Sequence, residues 1–149
     1  MPVDAGFVGR VYPPTPAYEV ASAALAAFAE ATGATHPAYA DPAAARALGY
    51  PDVLAPPTYA VVIAQRAEQQ LIADPAARID FSRVVHADER FTHQRPIHAG
   101  DRLITTLHVE QIMERAGITL VTTRCEIADE AGAAVCTVRS TLAVRGEDR

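Results

Sequence analysis

Residues 57–72 read PTYAVVIAQRAEQQLI. Pro57 suits the first turn of a helix, where its missing N–H costs nothing. From Tyr59 to Ala64 the chain is apolar without a break. Gln65 to Gln70 then turns polar, and Leu71 with Ile72 closes the segment. A helix that is apolar on every side of its first turns is expected to be buried, not laid on a surface. Sixteen residues span about 24 Å of helix. A segment of this kind needs something to wrap it.

The second half of the chain supplies the wrapper. From Arg83 the texture is that of strands, at Val84–Gln94, Leu103–Met113, Ile118–Ala128 and Ala134–Val144. The second of these alternates on Leu103, Leu107 and Val109. Residues 114–117 and 129–132 read as turns, and 146–149 as a polar tail. Strands of about 11 residues extend about 36 Å. The short connections predict that consecutive strands pair antiparallel as a meander. A twisted sheet of long strands curls, and one apolar helix in its concave face would satisfy both elements. The fold class is therefore α+β, in the geometry of a hot-dog fold, although other α+β layouts share this order of elements.

The first half is helical and punctuated. Met1–Tyr12 reads as an irregular arm with a brief strand near Phe7–Val11, broken by Pro13, Pro14 and Pro16. Ser22 is placed to cap a helix running to about Thr32, with Leu25, Phe28, Ala29 and Thr32 on one face. Gly33 sits where a C-terminal glycine belongs. Asp41 and Pro42 begin a second short helix as cap and first residue, and it ends at Gly49. Tyr50–Thr58 is an extended loop leading to the buried helix.

A chain of 149 residues is one domain by the usual prior and buries about 70% of its unfolded surface, so it needs no disulfides. Cys125 and Cys136 form no metal motif and read as small core residues in a reducing compartment. A net charge of −5, with the basic residues scattered, argues against a nucleic-acid partner. No apolar run reaches the roughly 18 residues of a membrane helix, and no signal peptide is visible. A cytoplasmic location is expected, with no membrane partner.

Two ordered patterns then narrow the reading: FAEATGATHPAYADPAAARALGYPDVLAPPT over residues 28–58, and RPIHAGDRL over 95–103. Together they resemble the MaoC-like hydratase and dehydratase family of hot-dog proteins, across about 120 residues. VLAPPT before the helix and VVHADERFTHQRPIHAGD after it resemble, more narrowly, the A-type subunits of actinobacterial heterodimeric (3R)-hydroxyacyl-ACP dehydratases. Those are related to the FAS1-like dehydratase N-terminal domain. In the family a helix ending in Gly is followed by an Asp-x-Asn-Pro-x-His segment that carries the chemistry. Here Ala34 takes the Asp place, His36 the Asn place, Pro37 matches, and Tyr39 takes the His place. Proton transfer beside a thioester needs a carboxylate and an imidazole converging on one carbon. Ala34 has no titratable group, and a tyrosine is neutral at pH 7. The dyad is missing from its expected positions.

His36 can be read as a displaced acid or base, or as a loop histidine that bonds locally or lines a substrate channel. Tyr39 can likewise form a channel wall with a polar tip. The start of the central helix, at Pro56, Pro57 and Thr58, is a candidate for polarising a thioester carbonyl through unpaired N–H groups. An ordinary proline-started helix is the plainer alternative. On the first long strand, Glu89 and His93 share a face and His86 points the other way, so a structural or edge role is expected for all three. His98 and His108 read as surface or loop residues. Gly100 and Asp101 are a turn that marks the fold. No spacing suits a metal, and no cofactor is expected.

The resemblance implies a subunit of a fatty-acid-type (3R)-hydroxyacyl-thioester dehydratase or enoyl hydratase that binds acyl-CoA or acyl-ACP. Without its own dyad, it would hold substrate and pair with a MaoC-like catalytic subunit as a heterodimer. A homodimer stays open. So does a self-sufficient acyl-thioester enzyme, either a hydratase with a rearranged site or a hot-dog thioesterase, and so does an acyl-thioester binding protein.

Overall fold

The computed structural model describes residues 2–147; Met1 of the expected arm and Asp148 and Arg149 of the expected tail lie outside them. In chain order the elements are β1 (Tyr18–Glu19), α1 (Ser22–Thr32), α2 (Pro42–Ala47), α3 (Ala60–Ile72), β2 (Val84–His93), β3 (Arg102–Arg115), β4 (Ile118–Asp129) and β5 (Ala134–Arg145). The strands form one curled antiparallel sheet in the order β1-β3-β4-β5-β2, with α3 packed on it. This is the hot-dog arrangement.

Pro57 opens the central segment as a 3-10 turn, Pro57–Tyr59, before α3 begins. The helix is buried along one face and not all round. Ala60, Ile63, Ala64, Ala67 and Leu71 are sealed, whereas Val61 and Val62 are half-buried and Thr58 is exposed. A sheet covers only one side of a helix, so the apolar run overstated the burial. The alanines let the helix sit close to β4, where the Cys125 thiol lies 3.8 Å from the Ala64 carbonyl. Each fully buried Leu or Ile on this face stabilises by roughly 1.5–3 kcal/mol. Burial pushes the Cys125 thiol well above its ordinary value and Cys136 up to about 11.

The β3–β4 and β4–β5 pairs follow the expected meander, but β2 does not join β3. It pairs with β5 at the far edge of the sheet. The cause is residues 94–101, which form a crossover and not a hairpin. Ile97 O accepts from Ala55 N at 2.7 Å, Ala99 N donates to Val53 O at 2.8 Å, and Gly100 N donates to Val20 O at 2.9 Å. Gly100 has φ 90°, which favours glycine. Asp101, 8% exposed, accepts two parallel 2.9 Å bonds from Arg95 and a third from His98 N at 3.0 Å. Of the surface and loop readings of His98, the loop holds: it is half-buried in this knot, its ring 3.5 Å from Asp101.

Two local expectations change. Ala21, not Ser22, occupies the N-cap of α1, without a side-chain bond, because the helix starts at Ser22 itself, one residue earlier than a Ser22 cap requires. Residues 5–7 form a 3-10 turn, and only Val11 bridges β3, opposite His108. Asp41 and Gly33 cap as expected, Gly33 at φ 71°.

Replacing Asp101 with alanine leaves the Arg95 guanidinium and the His98 N–H without their acceptor. The expected loss is about 2–3 kcal/mol of stability, read as a lower urea midpoint with an unchanged slope.

Candidate functional site

The loop that follows α1 is built from its C-terminal cap. Ala34 N reaches back to Ala29 O at 2.8 Å, and Pro37–Tyr39 makes one 3-10 turn. His36 caps that turn: its Nδ1 accepts from Ala38 N at 3.1 Å. An acceptor nitrogen carries no hydrogen, so Nδ1 helps hold the loop and Nε2 carries the hydrogen of the neutral ring. Tyr39 is half-buried, with its ring edge-on to His36 at 6.1 Å between centroids. Two carboxylates near this loop in sequence also serve backbone N–H groups, Asp41 at Ala43 N and Asp52 at Val53 N. Ala34 is half-buried and brings no polar atom.

Leu54 N donates to Ala38 O at 2.9 Å, which places this loop beside the segment leading to Pro56, Pro57 and Thr58. Pro56 is buried, whereas Pro57 and Thr58 are exposed. The Pro57 carbonyl lies 2.9 Å from His93 Nε2. A carbonyl only accepts, so this nitrogen holds the hydrogen and pins the end of β2 to the start of the helix. Sequence reasoning missed a tyrosine pair here. The hydroxyls of Tyr18 and Tyr59 are hydrogen-bonded at 2.5 Å, either able to donate, Phe28 meets the Tyr59 ring edge-on at 5.2 Å, and the Arg66 guanidinium lies 4.6 Å over the Tyr18 ring. Burial, and then the bond to Tyr18, push the Tyr59 phenol well above its ordinary value.

A second polar group lies farther along α3. The register of β2 against β5 shifts between His86 and Asp88. This bulge corrects the expectation that His86 and Glu89 face opposite ways: His86 Nε2 stands 4.0 Å from Glu89 Oε1. Glu89 Oε2 accepts from Ser140 Oγ at 2.7 Å. Behind Ser140 lies Glu68 of α3, 1% exposed, with Thr123 Oγ1 at 3.5 Å from Oε1. Desolvation raises both glutamates above the usual carboxylate range. Sequence reasoning missed Glu68; its one signal was its spacing, four residues after Ala64 and three before Leu71, on the buried face. Among the described residues no group of three or more His, Cys, Asp or Glu could hold a metal. Nor is any helix among them long and apolar enough to cross a membrane.

A curled sheet on one long helix, with a capped loop after a glycine-terminated helix, defines a MaoC-like dehydratase fold. The family model of the FAS1-like dehydratase domain region matches residues 6–138, and the chain belongs to that family. A UPF0336 protein of Saccharopolyspora erythraea is 51% identical over 146 residues, covering 98% of this chain and 94% of that one. One of Streptomyces griseus is 48% identical over 148 residues, covering 99% of each. Among solved structures, the truncated HadBC (3R-hydroxyacyl-ACP dehydratase) complex of Mycobacterium tuberculosis superposes with a TM-score of 0.82. It is 28% identical over 92% of this chain and 96% of that one. A MaoC-like dehydratase gives 0.87 at 30% identity, covering 95% of this chain and 43% of that longer one.

Because Tyr59 holds its proton, it is expected not to contribute to phenolate absorbance between about pH 9 and 11. Wild type and Tyr59→Phe should then show equal titration amplitudes; a smaller amplitude in the variant would contradict the buried hydroxyl pair.

Proposed function

We propose that this chain is the substrate-binding, non-catalytic subunit of a (3R)-hydroxyacyl-thioester dehydratase of fatty-acid type, acting on acyl-CoA or acyl-ACP. The observation that carries this reading is the loop at residues 34–39. Its backbone is built and capped, the family resemblance puts Ala34 and Tyr39 in the places of the dyad, and His36 Nδ1 is occupied by Ala38 N. Hydration of an enoyl thioester takes a proton from water as its oxygen attacks the β-carbon and delivers a proton to the α-carbon. Both transfers need an acid/base pair within hydrogen-bond reach.

A MaoC-like partner subunit supplies that pair. The HadBC dehydratase, as its name states, is a complex, which supports a two-chain assembly. The edge of β2 favours it as well: among the described residues β2 pairs with a strand only on its β5 side, and an open strand edge accepts a further strand. Within the pair, this chain's Tyr39 and His36 wall the acyl path. The exposed Thr58 N–H and hydroxyl, at the positive end of the helix, face the thioester carbonyl. Pro57 removes one N–H from that group, so Thr58 carries the polar contact.

Purified chain alone is expected not to hydrate a short enoyl-CoA above the buffer rate, and to do so only after a MaoC-like subunit is added. Turnover by the chain alone at the rate of the mixture would make it a self-sufficient enzyme, and His36 the first residue to replace. The double substitution Ala34→Asp with Tyr39→His is expected to raise hydration by the chain alone about 10²-fold or more.

A further inference from the structure

Glu68, Ser140, Glu89 and His86 run from the core to the surface, and no step of the proposed function uses them. Ser140 is fully buried, Glu68 is 1% exposed, and the His86 side chain is 43% exposed. A serine hydroxyl has one hydrogen, and here Glu89 Oε2 receives it at 2.7 Å. Glu68 therefore has no short donor. Thr123 is 3.5 Å from its Oε1, and its Oε2 has no hydrogen-bond partner, like the buried Oε1 of Glu89, whose nearest cationic group is His86 Nε2 at 4.0 Å. An ionised carboxylate in that state is costly, more so beside a second one. A neutral Glu68 removes the cost, because its own O–H can donate to Ser140 Oγ, the group it meets across the chain.

We propose that Glu68 and Glu89 share one proton through Ser140, and that this proton latches the edge strand β2 onto the central helix. The inference rests on the reading of β2 as the pairing edge and adds a means of regulating it. No residue of β2 is fully buried; Val84, Glu89 and Phe91 are half-buried and the rest are exposed. Beyond the packing of Val84 and Phe91, its polar side-chain ties toward the helix, among the described residues, are His93 on Pro57 O and the Glu89–Ser140–Glu68 chain. The groups facing the two carboxyls are His86 and Asp88 from β2, Ser140 from β5, and Thr123 and Cys125 from β4. His86 is the sole potential cation among them. A second negative charge has no other partner and pushes β2 from α3.

The sign follows from linkage. Both carboxyls are raised in the folded state, so their contribution is complete below the unfolded carboxylate range and is lost as pH rises through the folded values. The test is amide exchange of residues 84–93, as protection relative to an unstructured peptide of the same sequence, at about pH 4, in the ordinary carboxylate range, and about pH 9. Wild type is expected to lose about tenfold or more of its β2 protection at the higher pH. Glu68→Gln, neutral at both, should keep its protection. Equal losses in both proteins, or none in wild type, would overturn the latch. Should Glu68→Gln not fold, Ser140→Ala serves: low β2 protection at both pH values supports the latch, and a wild-type profile refutes it. Sedimentation with the MaoC-like subunit at pH 6 separates the two readings. Absence of a complex defeats the pairing alone, whereas a complex with flat exchange defeats the latch alone.

Discussion

The bidentate bond from Arg95 to Asp101 is the constraint on which the rest of the molecule depends. It closes residues 94–101 into a knot whose backbone is bonded to Val53, Ala55 and Val20. Because that stretch cannot turn back on itself, β2 is carried to one edge of the sheet and β3 to the opposite side of β4. The central helix is then flanked by an open edge, and the segment before Pro56, held by this knot on one side, is bonded on the other to the loop at residues 34–39 through Leu54 N and Ala38 O. A charged pair this enclosed is satisfied by its full set of donors and not by its Coulomb energy alone. It specifies the topology more than it adds stability.

The order of elements and most of their boundaries were legible because they depend on local chemistry. Gly33, Asp41 with Pro42, and the positive-φ turn at Ala116 and Gly117 each announce an end or a beginning. The pairing of β2 was not legible. Short connections favour hairpins, and nothing in RPIHAGD states that its hydrogen bonds go to residues some 40 positions earlier in the chain, at Val53 and Ala55. The facing of His86 was hidden for a related reason, since a one-residue bulge inverts every side-chain direction beyond it. Glu68 was hidden by its company, a polar run in which only its spacing from Ala64 and Leu71 marked it as buried.

The region expected to do chemistry has been kept as architecture. The turn at Pro37–Tyr39 is capped, docked on Leu54 and adjacent to the start of α3, so the backbone needed to position two catalytic groups is intact. At this turn Ala34 brings no polar atom, Tyr39 a phenol, and His36 an Nδ1 that accepts from Ala38 N. Polar atoms have instead accumulated where they fix parts together, at Tyr18 with Tyr59, at His93 on Pro57 and along the Glu68–Glu89 line. That distribution suits a chain whose task is to hold a substrate and a partner in place.

The most direct test of this account uses the assembled pair with the MaoC-like subunit's own Asp and His both replaced. Every proton transfer then has to come from the present chain. The account predicts no hydration of enoyl-CoA above buffer, with acyl-thioester binding to the complex retained by calorimetry. Residual turnover that disappears with His36→Ala would contradict it and make this chain a catalyst.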